Sequence, residues 1–295
     1  MRPPYSYYGG KTNMLPHILP LIPKHVQYCE IFFGGGALLF AKHPSKNEVI
    51  NDLNGNVTNF YMQLKTNFYE LQKLIHGTLH SEILHTEAQK IIFEEPEKHD
   101  DLKRAWAWWV CNNLSFSFVN NGGFAFGTTG MALGTRNRRD RFTEQYAKRL
   151  ECVEVFNRDA LDLIKLKDHD DTWFFIDPPY VSSNQGGYKG YTEADFINLL
   201  NALQNIKGKF LLTSYPENSL LQFRDMLSVD AMGEEKGWRW HDTKQIISVN
   251  GKREDTKFKT ECMTWNYPTP SNQESLFDFN QNEELVDAET EQNEF

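Results

Sequence analysis

The fold is decided by one stretch of sequence, VQYCEIFFGGGALLFAKHPSKNEVIND, which covers residues 26–52. Its first part, VQYCEIFF, is an apolar run typical of a buried strand, and three glycines follow as a turn. ALLFAKH then starts a helix, and NEVIND is a second strand that ends in an acid. A strand, a helix and a strand in this order form a βαβ unit, which predicts a parallel sheet covered by helices.

Outside this unit, strand patterns return at CVEVFNRD (152–159), TWFFIDPPY (172–180) and GKFLLTSYPEN (208–218). The segment 244–267 reads as two further strands around a polar, basic loop. Apolar residues recur at helical spacing over about 56–97 and 101–111, and Thr192 is a plausible N-cap for another helix. We predict an α/β sheet with helices on both faces, interrupted by a mainly helical insert over residues 60–150.

The composition fits an ordinary globular chain, with 295 residues, 40% hydrophobic and 24% charged. No apolar run approaches the roughly 18 residues of a membrane span, and no secretory signal pattern is present. The four cysteines lie far apart without metal-ligand spacing, which predicts reduced thiols and no metal site. We therefore expect a cytoplasmic protein that has no membrane partner; the sequence sets no oligomeric state.

The net charge of −9 argues at first against a nucleic-acid partner, but the acids are unevenly placed. Removing the eight acids of residues 271–295 leaves 32 acidic and 31 basic residues, a net charge of −1. This polar tail is predicted to be disordered. It could be a solubilising tail, a partner-binding segment or a mimic of DNA.

The glycine turn and the acids after the strands predict a pocket for an adenosine-bearing ligand. Leu39 stands where the dinucleotide fingerprint needs a third glycine, so a pyrophosphate is not expected. Asp52, at the end of the second strand, could accept hydrogen bonds from a ribose diol or could cap the next helix. Asp159 could cap a helix, accept a hydrogen bond from an adenine amine, or do both.

FFIDPPY, residues 174–180, ends a strand in an acid, two prolines and a tyrosine. Proline cannot continue a sheet ladder and straightens the residue before it, so Pro178 and Pro179 make a stiff turn. The Asp177 carboxylate and the Pro178 carbonyl could accept the two N–H bonds of an adenine amine, while Tyr180 stacks on the ring. This would aim the nitrogen lone pair out of the ring plane for attack, through orientation and electrostatic stabilisation.

These residues resemble those of Dam-type S-adenosylmethionine-dependent adenine-N6 DNA methyltransferases, in the arrangement where the glycine motif precedes the DPPY motif. The resemblance covers about residues 5–267. DPPY is its most specific element, F-x-G-x-G is matched at 32–36, and YYGGK (7–11) resembles the family's aromatic-x-G-G-K segment. It implies a Rossmann-like methyltransferase sheet and S-adenosylmethionine as methyl donor. The implied cofactor contacts are Tyr7, Lys11, Phe32, Gly34, Gly36, Asp52, Asp159 and Asp177.

From the residues alone, Lys11 could equally be a surface lysine at the start of a helix. The resemblance divides the chain into a catalytic domain (1–59 and 151–270), a target-recognition insert (60–150) and the tail (271–295). It implies site-specific methylation of a flipped adenine in double-stranded DNA.

An enzyme that extrudes a base from a duplex must offset a few kcal/mol of unpairing and unstacking by gripping the DNA. The segment 112–141, rich in Gly and Asn, is predicted to form loops. We expect its arginines to contact DNA; four phosphate contacts would give a salt slope of roughly −3.6. The alternative for these arginines is a solvated helix face with Asp140 and Glu144 as partners. The candidates are Arg136, Arg138, Arg139 and Arg141.

Two further features extend the predicted DNA surface. Phe124 and Phe126 are candidate wedges into the vacated base stack, although either could belong to the core. The basic loop 252–259, with Lys252, is expected to add phosphate contacts. The tryptophans of the helix predicted over 101–111 are interpreted as core residues.

Three other functions stay open at this point. The same chemistry could act on RNA or on single-stranded DNA. A non-catalytic DNA-binding protein could retain the fold, although an intact DPPY motif argues against it. A nucleotide-dependent oxidoreductase fits least well, because of Leu39 and because no hydride-transfer site is evident.

Overall fold

The computed structural model describes residues 1–127, 130–181, 190–247 and 257–270, with the backbone alone at 245–247 and 257–258. Within these ranges, seven strands form one sheet. They are β1 (Gln27–Glu30), β2 (Asn47–Asn51), β3 (Val153–Phe156), β4 (Thr172–Ile176), β5 (Lys209–Ser214), β6 (Arg239–Ile247) and β7 (Lys257–Trp265). Every predicted strand is therefore present.

The sheet has the strand order β3-β2-β1-β4-β5-β7-β6. Strands β1 to β5 are parallel to one another, whereas β7 runs antiparallel to both of its neighbours, β5 and β6. The order reverses direction between β1 and β4, and a crevice opens there at the carboxyl ends of the strands. The prediction of a parallel α/β sheet from residues 26–52 is confirmed.

Alternating side chains of the strands feed two hydrophobic cores, one on each face of the sheet. In β4, Trp173 and Phe175 enter one core, and Phe174 and Ile176 enter the other. This alternation follows from the two-residue period of a strand. Because both faces are buried, β4 reads in sequence as a continuous apolar run rather than as an alternating one.

Twelve α-helices lie in the described ranges, together with short 3-10 turns such as Lys11–Met14. They are α1 (Leu15–Ile18), α2 (Ala37–Ala41), α3 (Gly55–Thr66), α4 (Phe68–His76), α5 (Glu82–Phe93), α6 (Asp101–Leu114), α7 (Met131–Asp140), α8 (Gln145–Leu150), α9 (Ala160–Lys167), α10 (Glu193–Gln204), α11 (Asn218–Met226) and α12 (Val229–Met232). The Thr192 cap of α10 is confirmed, since its side chain and that of Asp195 form a reciprocal capping box.

The insert packs directly on the sheet. Helix α3 crosses the boundary predicted at residue 60, and its buried Val57 and Leu64 lie on either side of it. The tryptophans of α6 (Trp106, Trp108 and Trp109) are buried in the same core as β1 and β4, as predicted. One face of the sheet and the insert therefore share a single hydrophobic core.

The prediction of loops over 112–141 is wrong at both ends. Helix α6 continues to Leu114, and α7 carries the arginines. Most residues of α7 are good helix formers, but the helix buries Thr135 alone and Gly134 lies in its middle, so no apolar period marks it in the sequence. Contacts from elsewhere in the chain hold it: Thr135 bonds to His80, and Arg139 bonds to the carbonyl of His76.

The N-terminal segment crosses between the sheet and the insert. The Trp109 indole donates to the carbonyl of Pro4, and the Ser6 amide donates to Asn113 Oδ1. The Tyr146 hydroxyl donates to the carbonyl of Arg2. Residues 2–7 are thereby fixed beside the glycine turn by helices that lie more than 100 positions later in the chain.

Candidate active site

A cleft of about 1150 Å³ opens at the carboxyl ends of β1, β2 and β4. Its size is sufficient for a nucleoside-sized ligand together with a second group. The sequence-predicted residues that line it are Tyr7, Lys11, Phe32, Gly34, Gly36, Asp52, Asp159, Asp177, Pro178, Pro179, Tyr180, Arg138 and Arg141. The structure therefore brings the predicted cofactor and catalytic residues to one place.

The glycine turn is held in shape by tyrosines. The Tyr5 hydroxyl donates to the carbonyl of Gly34 at 2.8 Å, and the Tyr61 hydroxyl donates to that of Gly35 at 2.9 Å. Gly34 has φ +49°, and a Cβ atom there would lie 2.6 Å from the Tyr7 ring. Glycine is required because the backbone is left-handed and an aromatic ring packs directly on it.

Asp52 is tied to this turn. One carboxylate oxygen accepts from the Gly34 amide at 2.8 Å, and the other accepts from the Asn54 amide at 2.9 Å. Burial raises the pKa of Asp52 to about 6, although these two bonds oppose the rise. The N-cap of α3 is Asn54, whose side chain accepts from Asn56. Asp52 is therefore a cleft carboxylate and is not the helix cap.

Asp159 is the N-cap of α9, because its Oδ1 accepts from the Leu161 amide at 2.8 Å. The predicted cap is confirmed. The residue also lines the cleft. Because Oδ1 makes the cap, Asp159 can cap the helix and bind a ligand through Oδ2 at the same time. Its proposed contact with an adenine amine stays a prediction.

Asp177 stands at the end of β4 and receives three donors on one oxygen. Its Oδ1 lies 2.8 Å from Lys11 Nζ, 2.7 Å from the Thr213 hydroxyl and 3.2 Å from the Tyr180 hydroxyl. Within the described residues, Oδ2 accepts no hydrogen bond from the protein. The carboxylate is therefore fixed in rotation, with one oxygen left for a ligand.

Lys11 begins a 3-10 helix but is not a surface residue, since it is only 8% exposed. Its ammonium bridges Asp177 and Glu261, at 2.8 and 3.4 Å. Burial disfavours the charged form, but the two carboxylates outweigh it and raise the pKa of Lys11 above its usual value. The alternative of a surface lysine is wrong.

Tyr180 is anchored by its hydroxyl, which donates to Glu261 and also lies within hydrogen-bond distance of Asp177, at 3.2 Å. Burial, followed by the two nearby carboxylates, raises the pKa of Tyr180 well above its usual value, so the hydroxyl stays a donor. The edge of its ring meets the ring of Tyr215 at a centroid distance of 4.3 Å. Thr213, Tyr215 and Glu261 were not found by sequence reasoning.

Glu30 is a further cleft acid that the sequence analysis did not select. It ends β1, is 3% exposed, and accepts a 2.6 Å hydrogen bond from the Tyr28 hydroxyl. Burial raises its pKa to about 8, against the effect of Tyr28. Its place as a charged residue inside an apolar strand was the available signal.

The four arginines fall into different environments. Arg136 is exposed and forms only a 4.0 Å ion pair with Asp140, and Arg141 is exposed at the cleft. Arg139 instead donates to the carbonyls of His76 and Thr78, at 3.2 and 2.8 Å. Arg136 and Arg141 are thus exposed, whereas Arg139 is held by backbone carbonyls at the end of α4.

Arg138 lies at the junction between α7 and the cleft. Its guanidinium stands 5.1 Å from the centroid of the Phe118 ring, a cation–π distance. Burial, and then the nearby charge of Arg141, lower the pKa of Arg138 from its usual value. Two neighbouring cations at the mouth of a cleft attract an anion.

The aromatic residues of the insert also separate. Phe124 is half-buried and packs between His80 and His85, at centroid distances of 4.7 and 5.7 Å. Phe126 is 82% exposed. Phe118 lines the cleft mouth in a left-handed backbone conformation, φ +59°, which is strained for a bulky residue. Phe126 and Phe118 are therefore accessible rings, as is Phe116 in the same segment.

Lys252 and the tail 271–295 lie outside the described residues. Within the described ranges, no cluster of three or more His, Cys, Asp or Glu side chains is arranged to hold a metal ion. The four cysteines are free. Among the helices that the structure places, none is long and apolar enough to cross a membrane.

The sheet order, the glycine turn and the proline-locked carboxylate define the Rossmann-like methyltransferase class. The chain belongs to the D12 class N6 adenine-specific DNA methyltransferases, whose family model matches residues 7–259. The resemblance drawn from the motifs is thereby confirmed.

Among relatives, the chain is 24% identical over 223 residues to type II methyltransferase M.CviBI of Paramecium bursaria Chlorella virus NC1A, a match covering 72% of this chain and 82% of that one. It is 26% identical over 239 residues to the DNA N-6-adenine-methyltransferase of Escherichia phage P1, covering 71% and 29%. It is 45% identical over 76 residues to type II methyltransferase M1.LlaDCHI of Lactococcus lactis subsp. cremoris, covering 25% and 26%. The matches thus span under a third of the length of two of these relatives and four fifths of the third.

Proposed function

We propose that this protein transfers a methyl group from S-adenosylmethionine to the N6 amine of an adenine flipped out of double-stranded DNA, in the cytoplasm. One observation carries the proposal: Asp177 Oδ1 is held by three donors while Oδ2 is left to a ligand, beside Pro178 and Tyr180. That arrangement suits an amine whose two N–H bonds need acceptors in a fixed orientation.

The residues present fit the cofactor. Asp52 offers a carboxylate for a ribose diol, the glycine turn leaves room along its backbone, and Lys11 offers a positive charge for the carboxylate of an amino-acid end. When bound, S-adenosylmethionine would supply an electrophilic methyl group on a sulfonium. The protein's part is to orient the amine through Asp177 and to stabilise the positive charge that develops on nitrogen.

Duplex DNA is favoured as substrate by the mouth of the cleft. Arg138 and Arg141 line it, Arg136 extends the positive surface along α7, and Phe118 stands among them. Cations of this kind contact phosphates, and accessible aromatic rings can enter a base stack opened by extrusion. RNA or single-stranded DNA remains the second substrate class.

The test measures methyl transfer from labelled S-adenosylmethionine to duplex DNA taken from a methylation-free host, beside single-stranded DNA and RNA. We expect N6-methyladenine in duplex DNA at a limited set of sequences. Preferential transfer to single-stranded DNA or RNA would make that nucleic acid the substrate in place of duplex DNA. Cofactor binding without transfer to any nucleic acid would overturn the proposal.

Asp177→Asn is the matching variant. Its amide retains the shape but offers one oxygen acceptor fewer, so the single-turnover rate should fall on the order of 10²–10³-fold. Asp170→Asn is the control, because this exposed acid lies at the opposite end of the same strand, away from the cleft. A wild-type rate in Asp177→Asn would contradict the assigned role.

A further inference from the structure

Glu261 is a buried carboxylate in the interior of β7, a strand from which the motifs select no residue. It is 8% exposed. Strand β7 pairs with β5 so that Cys262 lies opposite Ser214, the last residue of β5. Glu261 therefore lies one residue beyond the last paired residue of β7 in this ladder. It lines the cleft on the β5 side of β4, whereas the glycine turn lies on the β1 side.

Both described partners of this carboxylate belong to the site. The Tyr180 hydroxyl donates to Glu261 Oε1, and Lys11 Nζ lies 3.4 Å from the same oxygen. Burial raises the pKa of Glu261, while Lys11 and Tyr180 oppose the rise. A buried ion pair adds little stability compared with apolar residues of similar volume, so stability alone does not account for an acid here.

The contacts of Glu261 determine how Tyr180 can move. The Tyr180 hydroxyl is held between Glu261 and Asp177, and its ring edge is held by Tyr215. A phenol fixed at its hydroxyl cannot swing about the side-chain bonds. The ring that would stack on the target adenine is thereby held at one angle to the Asp177 carboxylate.

Lys11 is shared between two carboxylates, which gives Glu261 a second effect. Its ammonium is 2.8 Å from Asp177 and 3.4 Å from Glu261. An adenine amine that docks on Asp177 Oδ2 shares the negative charge of this carboxylate with the ammonium on Oδ1, which weakens the Lys11 contact. Glu261 is close enough to retain the ammonium without a large movement.

We propose that Glu261 is a positioning residue, which holds the Tyr180 hydroxyl and keeps Lys11 in the cleft while Asp177 receives the target amine. This inference rests on the proposed methyl transfer to adenine. It assigns Glu261 no contact with the reacting atoms.

The first test compares Glu261→Gln and Glu261→Ala with Glu154→Gln in full-length protein. Glu154 is half-exposed in β3, at the far edge of the same sheet, and pairs with Lys167. At saturating DNA and cofactor, Glu261→Ala should lower the rate on the order of 10–100-fold, as small misplacements do. Glu261→Gln should fall in between, because its amide oxygen still accepts from Tyr180. Glu154→Gln should match wild type.

The expected loss is in the rate at saturation, with a smaller change in the KM for DNA and in the cofactor dissociation constant. A wild-type rate in both Glu261 variants would overturn the inference. Equal losses in rate and in cofactor affinity, together with a lowered Tm, would overturn it in favour of a purely structural role.

A double-mutant cycle with Tyr180→Phe gives the second test, because phenylalanine lacks the hydroxyl through which Glu261 acts. Adding Glu261→Gln should slow Tyr180→Phe by less than it slows wild type. An equal slowing in both backgrounds would overturn the positioning of Tyr180. Absence of transfer by wild type itself would instead be the failure of the proposed function.

Discussion

The carboxyl edge of the sheet and helix α7 of the insert use charged residues in opposite ways. At the sheet edge, Asp52 and Asp177 are each held by two or three donors before any ligand arrives. On α7, Arg136 is exposed and forms a long ion pair with Asp140, whereas the Arg139 guanidinium donates a hydrogen bond to the carbonyl of Thr78. The number of arginines clustered in the sequence therefore does not equal the number that are available to contact DNA phosphates. When Arg139 is left out of the count of phosphate contacts, the expected slope of log K against log salt concentration changes from roughly −3.6 to roughly −2.7.

The sheet edge should be the less tolerant of the two regions, and Gly34→Ala tests this most strongly. The new Cβ would lie 2.6 Å from the Tyr7 ring at φ +49°. Left-handed backbone costs about 1–2 kcal/mol for alanine, and the overlap costs about 1–3 kcal/mol more. We expect cofactor affinity, measured by calorimetry, to fall on the order of 10–100-fold.

Gly123→Ala is the control in the insert, because a Cβ there meets nothing within 4 Å and φ is not left-handed. It should bind cofactor like wild type. Equal cofactor affinity in the two variants would show that the glycine turn can accommodate a side chain. The sheet edge would then be no less tolerant of substitution than the insert.

Within the insert, Phe124 and Phe126 should separate folding from DNA binding. Phe124→Ala removes a ring that packs between two histidines, so it should lower stability by about 2–3 kcal/mol in chemical denaturation. Phe126→Ala, at a position 82% exposed, should leave stability unchanged and weaken base extrusion. Fluorescence of 2-aminopurine at the target position reports the extrusion. If Phe126→Ala lowered stability and Phe124→Ala weakened base extrusion, Phe124 would be the wedge residue and Phe126 would not.

Arg139→Ala and Arg136→Ala should have different phenotypes although they are three residues apart. Arg139→Ala leaves two carbonyls without a charged donor and should cost about 1–2 kcal/mol of stability. Arg136→Ala should retain the wild-type Tm and reduce the salt slope of DNA binding by about 0.9. Similar slopes for both variants would show that Arg139 also reaches phosphate.

The effect of Glu30 is seen in the dependence of stability on pH. Its pKa is raised from 4.5 to about 8 in the folded protein, mainly by burial. The folded state therefore binds the extra proton, so this stability is full below pH 4.5 and is lost as pH rises through 8. Thermal unfolding of Glu30→Gln without ligand should lose less stability than wild type from pH 5 to pH 8. Glu154→Gln should follow wild type, and parallel curves for Glu30→Gln would contradict the shift.

The strands and the catalytic turn could be predicted because their causes are local. Apolar runs bounded by glycine, proline or acids set β1, β2 and β4, and Pro178 stops β4 wherever the rest of the chain lies. Helix α7 was missed because it buries Thr135 alone and so shows no apolar period, and its place is set by contacts with His80 and His76. The place of β7 between β5 and β6 is likewise a long-range pairing.

The site divides along the same line. Asp52, Asp159 and Asp177 each follow a strand, so their positions at one edge follow from parallel topology. Lys11 was indicated by the resemblance of YYGGK to a family segment, but its pairing with Asp177 was not. Thr213 and Glu261 come from two other distant segments and meet the site at Asp177 and Tyr180, so their roles depend on tertiary distances that no spacing in the sequence encodes.

The N-terminal crossing sets an order of assembly during protein synthesis. Residues 2–7 leave the ribosome before the side chains that fix them, which belong to Trp109, Asn113 and Tyr146. Tyr7 can therefore settle on the glycine turn only after the insert has been made and folded. A nascent chain that ends before the insert has the glycine turn but lacks Asn113, Phe118 and Arg138, which line the cleft, so a ligand that needs the whole cleft can bind only after the insert has folded.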